Sequence, residues 1–209
     1  MKQSSGMTKT LIFILSAGLV LVGGFLFYKR YKKIYGKSEY ISGSYSNKEY
    51  KNDYFGIQAS LGPNWDVTKY IYDGEAEKKA LDNKQMVNEL YAQNIKSVQV
   101  VGFFVQQTPY NVKESGKDIN KMLDLLKGTF QKQMEESGYK VDSIERDSLT
   151  IAGENCEGFK IVGSMQGNPT KLSLVQYYVF KGNYMGAYTA SSTTEDKAKK
   201  AITQTFVKQ

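Results

Sequence analysis

The chain contains no histidine and a single cysteine, Cys156. Without histidine, neither a Ser-His nor a Cys-His nucleophile can be assembled, and zinc sites of the usual Cys/His kind are excluded. One thiol permits no intrachain disulfide, and within AGENCEGF Cys156 reads as a small buried side chain. A concentrated basic surface is also missing. The net charge of +7 falls almost wholly on residues 1–45, which carry +6, whereas residues 46–209 carry +1. A nearly neutral folded part does not fit binding to a phosphate backbone, so no nucleic-acid partner is expected.

Several short patterns resemble chemical motifs and fail in context. Ser137-Gly138-Tyr139-Lys140 has the SxxK spacing of penicillin-recognising enzymes, but it follows a predicted helix C-terminus, and no SDN or KTG partner exists. Gly153 to Lys160 has the outer glycines of a phosphate loop, but Phe159 stands at its lysine position. Asn168-Pro169-Thr170 is barred from glycosylation by its proline. Glu135, Glu136, Asp142, Glu145 and Asp147 could supply paired carboxylates for acid/base work, although their spacing suits solvated faces better. No catalytic, cofactor-binding or metal-binding residue is assigned, and no cofactor is expected.

What dominates the sequence is Thr10–Tyr28, nineteen residues without a charge between Lys9 and Lys29. At about 1.5 Å per residue a helix of that length covers roughly 28 Å, close to the hydrocarbon thickness of a bilayer. Twelve Leu, Ile, Val and Phe side chains favour insertion. The run is longer than the apolar part of a cleaved signal. Cutting at Val22-Gly23-Gly24 would strand Phe25 to Tyr28 on the mature end, so a retained single-pass anchor is expected. Tyr28, Lys29, Arg30, Tyr31, Lys32 and Lys33 form the membrane-interface belt, with lipid as their partner.

The resulting division is an N-terminal tail (1–9), a transmembrane helix (10–28), a basic, Tyr-rich stalk (29–47) and one α+β domain (48–209). The domain opens with two short strands. Gly62-Pro63-Asn64 then presents Trp65, the only tryptophan. Trp65 reads first as a core plug; with Tyr54 it also marks a candidate binding surface. Residues 73–85 read as a short exposed helix or a crossing segment. ELYAQN and SVQVVGFFVQQ form a predicted hairpin. Residues 118–136 are the clearest helix, with Ile119, Met122, Leu123, Leu126, Phe130 and Met134 on one face and Ser137-Gly138 ending it. YKVDSIER, SLTIAG, CEGFKIVGSM, KLSLVQYYVF and YMGAYTAS follow as strands of a meander, with Gly153-Glu154-Asn155, Gly167-Asn168-Pro169 and Gly182-Asn183 as turns. A last helix starts near Glu195, capped by Thr193 or Thr194 and burying Ala198, Ala201, Ile202 and Phe206. The predicted architecture is an antiparallel sheet flanked by helices, an α-β sandwich.

Tyr50, Asn52, Phe55-Gly56-Ile57, Leu61 and Trp65, followed by a hairpin, a long helix and a strand-rich C-terminal half, resemble the PsbP-like (Mog1/PsbP) domains over residues 46–209. The turn reads Leu61-Gly62-Pro63-Asn64-Trp65 where the family usually has Leu-Pro-x-Gly-Trp. The resemblance implies the fold, a non-enzymatic accessory role and, as in anchored Gram-positive relatives, an extracytoplasmic domain. It transfers no binding residues. The cations after the span outnumber those before it, which by itself favours a cytoplasmic domain, but long C-terminal domains translocate largely regardless of charge. The expectation is an anchored, extracytoplasmic binding or assembly module whose partner is an unidentified protein or envelope component. The alternatives are a carboxylate-dependent hydrolase of envelope material and a cytoplasmic-facing scaffold.

Overall fold

A computed structural model describes residues 40–67, 79–81, 86–108, 119–168 and 170–209. The apolar run Thr10–Tyr28, the belt Tyr28–Lys33 and most of 73–85 lie outside the described residues. Among the described residues no helix is long and apolar enough to cross a membrane.

The chain is α+β and built in three layers. Among the described residues the elements follow one another as β1 (Ser44–Ser46), β2 (Glu49–Asn52), β3 (Ile57–Ser60), β4 (Asp66–Val67), β5 (Val87–Asn94), β6 (Gln99–Gln107), α1 (Ile119–Glu136), β7 (Tyr139–Ile151), β8 (Glu154–Met165), β9 (Lys171–Lys181), β10 (Tyr184–Ser192), α2 (Glu195–Thr205) and β11 (Phe206–Lys208). Seven strands form one antiparallel sheet in the order β4-β5-β6-β10-β9-β8-β7, and β1-β2-β3-β11 form a smaller one.

Helix α1 lays its predicted stripe, Met122, Leu123, Leu126, Phe130 and Met134, on one face of the large sheet, against residues such as Phe104, Phe159, Leu174 and Tyr178. Helix α2 and the small sheet cover the other face, where Ala198, Ile202 and Phe206 meet Phe103, Tyr177 and Tyr188. Because both faces are covered, β10 is buried at every position from Tyr184 to Ser192, and its sequence carries no charge at all.

Turn chemistry fixes the hairpins. Asn47 and Lys48 both have positive φ (49° and 65°), as do Ala152 and Gly153 (51° and 83°), the pattern of a two-residue turn whose twist matches the strands. Helix α1 ends at Glu136, and Gly138 takes φ 77° just beyond it, as Ser137-Gly138 predicted. Thr194 is the N-cap of α2, its side chain accepting from the Lys197 N–H.

Four expectations change. The segments YKVDSIER and SLTIAG are one continuous strand, because Arg146 and Asp147 each find a partner above or below the sheet and no turn is required. Glu154 and Asn155 already belong to β8, leaving Ala152-Gly153 as the turn. Phe206 is extended (φ −100°, ψ 120°) and starts β11, which pairs with β3, so the chain closes on a strand and not a helix. Tyr40 to Ser46, read as stalk, belong to the folded unit: Tyr40 is buried and β1 pairs with β2.

Candidate functional site

The chain joins the domain through a cluster of tyrosines. Tyr40 seats its ring against Tyr54, Phe55 and Tyr184 at centroid distances of 5.3, 6.2 and 5.2 Å. Its backbone N–H donates to the Tyr184 hydroxyl at 3.3 Å. Below it, the fully buried Asn52 donates through Nδ2 to the hydroxyls of Tyr40 (2.6 Å) and Tyr50 (2.9 Å), while its Oδ1 accepts from the Phe55 N–H (3.0 Å). This small side chain therefore fixes both the incoming segment and the turn after β2.

Glu89 completes the arrangement. The register of β5 against β6 shifts between Asn88 and Leu90, a β-bulge that re-aims the residue between them. Glu89 Oε2 accepts from the Gly43 N–H (2.7 Å) and from the Tyr50 hydroxyl (3.0 Å). Gly43 is required there, since a Cβ would collide with the Tyr50 ring and the Lys51 carbonyl oxygen. Burial pushes the Tyr50 hydroxyl well above its usual pKa, and the neighbouring Glu89 carboxylate adds to the shift, so Tyr50 stays a neutral donor.

A second polar cluster lies along β7 to β9 and α2. The Tyr177 hydroxyl donates to Asp147 Oδ2 at 2.6 Å, and Lys199 Nζ sits 2.7 Å from the same oxygen and 2.7 Å from Glu195 Oε1. Lys160 bridges Glu145 (3.1 Å) and Glu195 (3.8 Å). Partial burial alone would raise the Asp147 pKa, but the hydrogen bonds from Lys199 and Tyr177 outweigh it and hold the carboxyl below its ordinary value. Asp142 pairs with Lys171 at 3.1 Å. The acidic residues of β7 are thus each matched to a lysine instead of to one another. Among the described residues no group of three His, Cys, Asp or Glu side chains could hold a metal ion.

The residues singled out in the sequence do not converge. Tyr54 lies at the end of the large sheet marked by the β9–β10 turn, its hydroxyl donating to the Lys181 carbonyl (2.9 Å) and its ring under the Lys181 ammonium (5.6 Å). Trp65, half-buried against the core, precedes β4. The pairing of Asp66 with Gln93 places it at the opposite end, by the β5–β6 turn. Tyr28, Lys29, Arg30, Tyr31, Lys32 and Lys33 are outside the described residues. Cys156 is buried, as expected. Tyr40 and Glu89 escaped sequence reasoning, and Asn52 entered it only as one residue of the family resemblance. The one local signal was a glutamate inside the apolar run VNELYA.

The end of the domain that receives Tyr40 also receives the C-terminus. Gln209 bonds Asp53 through its side chain (2.7 Å) and the Gly56 carbonyl through its backbone (3.1 Å). The turns at 95–98 and 166–168 lie at the other end of the large sheet.

No protein-family profile and no characterised protein matches the sequence. Solved structures are distantly similar to it at low identity. CyanoP, the cyanobacterial PsbP of Synechocystis sp. PCC 6803, is 8% identical with a TM-score of 0.45, the match covering 77% of this chain and 91% of that one. LpqN of Mycobacterium tuberculosis, described as involved in cell envelope biogenesis, is 11% identical with a TM-score of 0.40, covering 72% and 82%. A protein from Bacteroides thetaiotaomicron VPI-5482 is 11% identical with a TM-score of 0.42 over 78% of this chain, which spans about half (48%) of that protein's length.

Proposed function

We propose that the chain is a membrane-tethered binding or assembly module without enzymatic activity, its domain held on the extracytoplasmic side. The observation that carries the reading is the uncharged run Thr10–Tyr28 set only eleven residues before Tyr40, the first described residue, which is buried in the domain. Fully extended, eleven residues reach about 40 Å, so the domain stays close to the lipid surface. Tyr40 and Gln209 share one end of the domain, so the tether leaves the turns at 95–98 and 166–168 facing away from the membrane. That far end carries Asn94, Ser97, Gln99, Gln166 and Asn168 beside Lys96 and Lys171, a polar surface suited to a protein or envelope partner. The pairing of Asp142, Glu145 and Asp147 with lysines supports a non-enzymatic reading, because acid/base hydrolysis needs two carboxyl groups facing one substrate bond.

The test uses the full chain in cells. Because Cys156 is buried, Ser97→Cys supplies an exposed thiol at the far end. Labelling by an impermeant maleimide without lysis, together with retention in the pellet after alkaline carbonate, is the expected result. Labelling only after lysis would place the domain in the cytoplasm, and release by carbonate would remove the anchor. A photo-crosslinker at Gln166 should then capture a discrete partner that the same group at Asp53, beside the tether, does not.

A further inference from the structure

Helix α1 carries two residues on its outer face for which the single chain gives no reason. Leu125 is 63% exposed and, with Ile41 and Val207, is one of three exposed large apolar side chains among the described residues. Gly128, one turn further on, lies in the middle of the helix, where glycine is destabilising relative to alanine. A Cβ at Gly128 would meet nothing within 4 Å, so no contact inside the domain calls for a glycine there.

At about 100° of turn per residue, Gly128 stands on the side of the helix opposite the core stripe. Met122, Leu123, Leu126, Phe130 and Met134 are buried beneath it. Lys121, Asp124, Leu125, Gln131, Lys132 and Glu135 surround it and are all exposed. Their contacts run along the helix or to its flank. Gln131 Nε2 donates to Glu135 Oε1 (3.0 Å), and Lys132 Nζ lies 3.8 Å from Glu136 Oε1 with both side chains mostly exposed. Asp124 faces Arg146 at 3.8 Å and still keeps 71% of its side chain exposed. None of these pairs covers Leu125 or Gly128.

The order of charges along this face is self-complementary about Gly128. When α1 packs on a second α1 running the opposite way, with Gly128 against Gly128, each residue before the glycine meets the one equally far after it. Lys121 then faces Glu135 of the other copy, while Asp124 and Leu125 lie beside its Gln131 and the stem of its Lys132. Sliding one helix by three residues sets Lys121 against Lys132 in one direction and Asp124 against Glu135 in the other. A parallel pair in register would place every charge against its own kind.

We infer that the outer face of α1 is a self-association surface, on which a second copy of this chain docks antiparallel with Gly128 at the twofold axis. The missing side chain lets the two helices approach to about 8 Å, the short end of helix packing distances, and the second helix covers Leu125. One helix against its copy buries less than the about 800 Å² per partner of a standard interface, so the pair is reversible and forms with rising concentration. Because α1 runs beside β7 from Arg146 back to Tyr139, pairing turns one domain end for end. Copies anchored in one membrane therefore pair lying along the lipid surface, whereas a single one stands on its tethered end. The association itself needs neither the anchor nor a given side of the membrane.

The test uses the full chain in detergent micelles, mixed from equal parts of isotope-labelled and unlabelled protein. Sedimentation equilibrium should show a monomer-dimer equilibrium, and a zero-length carbodiimide should join Lys121 of one label to Glu135 of the other. Within one helix these two residues stand about 21 Å apart, too far for that link, so the product reports pairing alone. Lys121→Glu should weaken association about tenfold, and Lys121→Glu combined with Glu135→Lys should restore it. Gly128→Leu should abolish pairing while the melting temperature of the monomer stays level or rises. A monomer at every concentration, a dimer without the mixed Lys121–Glu135 product, or a dimer indifferent to Lys121→Glu or to Gly128→Leu overturns the proposal. So does a double variant that fails to pair, or a lowered melting temperature in Gly128→Leu, which would show that the glycine serves the single chain.

Discussion

Arg146 and Asp147 are consecutive residues of β7, and they hold the two helices on opposite faces of the sheet. Arg146 reaches α1 through Asn120 and Asp124, and Asp147 reaches α2 through Lys199. Alternation along a strand makes this inevitable once both side chains have partners, since successive residues project to opposite sides.

The Asp147 grip gives a pH window. The Asp147 carboxyl is held below its ordinary 3.8, so the stability it contributes is complete above that value and disappears as pH falls through the lower, folded one. Burial tends to lower the Lys199 pKa, but the hydrogen bonds to Asp147 and Glu195 raise it above the ordinary 10.5, so its contribution is complete below that value and is lost as pH climbs through the folded one. Tyr177→Phe should therefore cost about 2 kcal/mol in urea denaturation at pH 7, and clearly less at pH 3. Equal cost at both pH values would show that the hydroxyl acts through packing and not through the carboxylate.

Asn52→Leu should free the incoming segment. It removes the donor to Tyr40 and Tyr50 and the acceptor for the Phe55 N–H from a fully buried site. The expected loss is about 2 to 3 kcal/mol, with new proteolytic cleavage near residues 40–43. A variant as protease-resistant as the natural chain would mean that ring packing alone seats Tyr40.

Phe103 is the aromatic hub of the core beneath α2. Its ring meets Tyr50, Phe55, Tyr188 and Phe206 at centroid distances of 6.3, 5.4, 4.9 and 6.1 Å. Phe103→Ala should cost about 3 to 5 kcal/mol, measured by chemical denaturation with an unchanged m-value. A loss under about 1 kcal/mol would show that the neighbouring rings refill the space.

Gly158 permits β8 and β9 to approach. A Cβ there would run into the Gln176 carbonyl oxygen and stand 2.7 Å from the Tyr177 Cα, both backbone atoms that cannot turn away. Gly158→Ala should destabilise by about 1 to 3 kcal/mol and weaken the adjacent Tyr177–Asp147 bond, visible as a smaller pH dependence of stability. Full stability in this variant would show that the two strands separate freely at that point.

Local pattern was enough for some elements and misleading for others. The α1 stripe repeats at three- and four-residue intervals with Gly138 after it, and it packs as that spacing required. Phe206 continues the same interval four residues after Ile202, so periodicity assigned it to the helix. Pairing with Ala59 of β3, far away in sequence, pulled it into a strand. The polar stretch ERDS looked like a break in β7 because its partners, Asn120 and Lys199, come from other elements.

By itself the sequence determined the uncharged N-terminal run, the near-neutral domain, two amphipathic helices, the hairpin turns and the absence of histidine-based chemistry, because composition and short-range periodicity are properties of neighbouring residues. Only the tertiary structure decided that four short strands form a second sheet, that Tyr40 is locked by Asn52, and that Arg146 and Asp147 reach helices on opposite faces. Each of these depends on contacts between segments tens of residues apart, where the burial and pairing of one side chain are set by partners that no local pattern specifies.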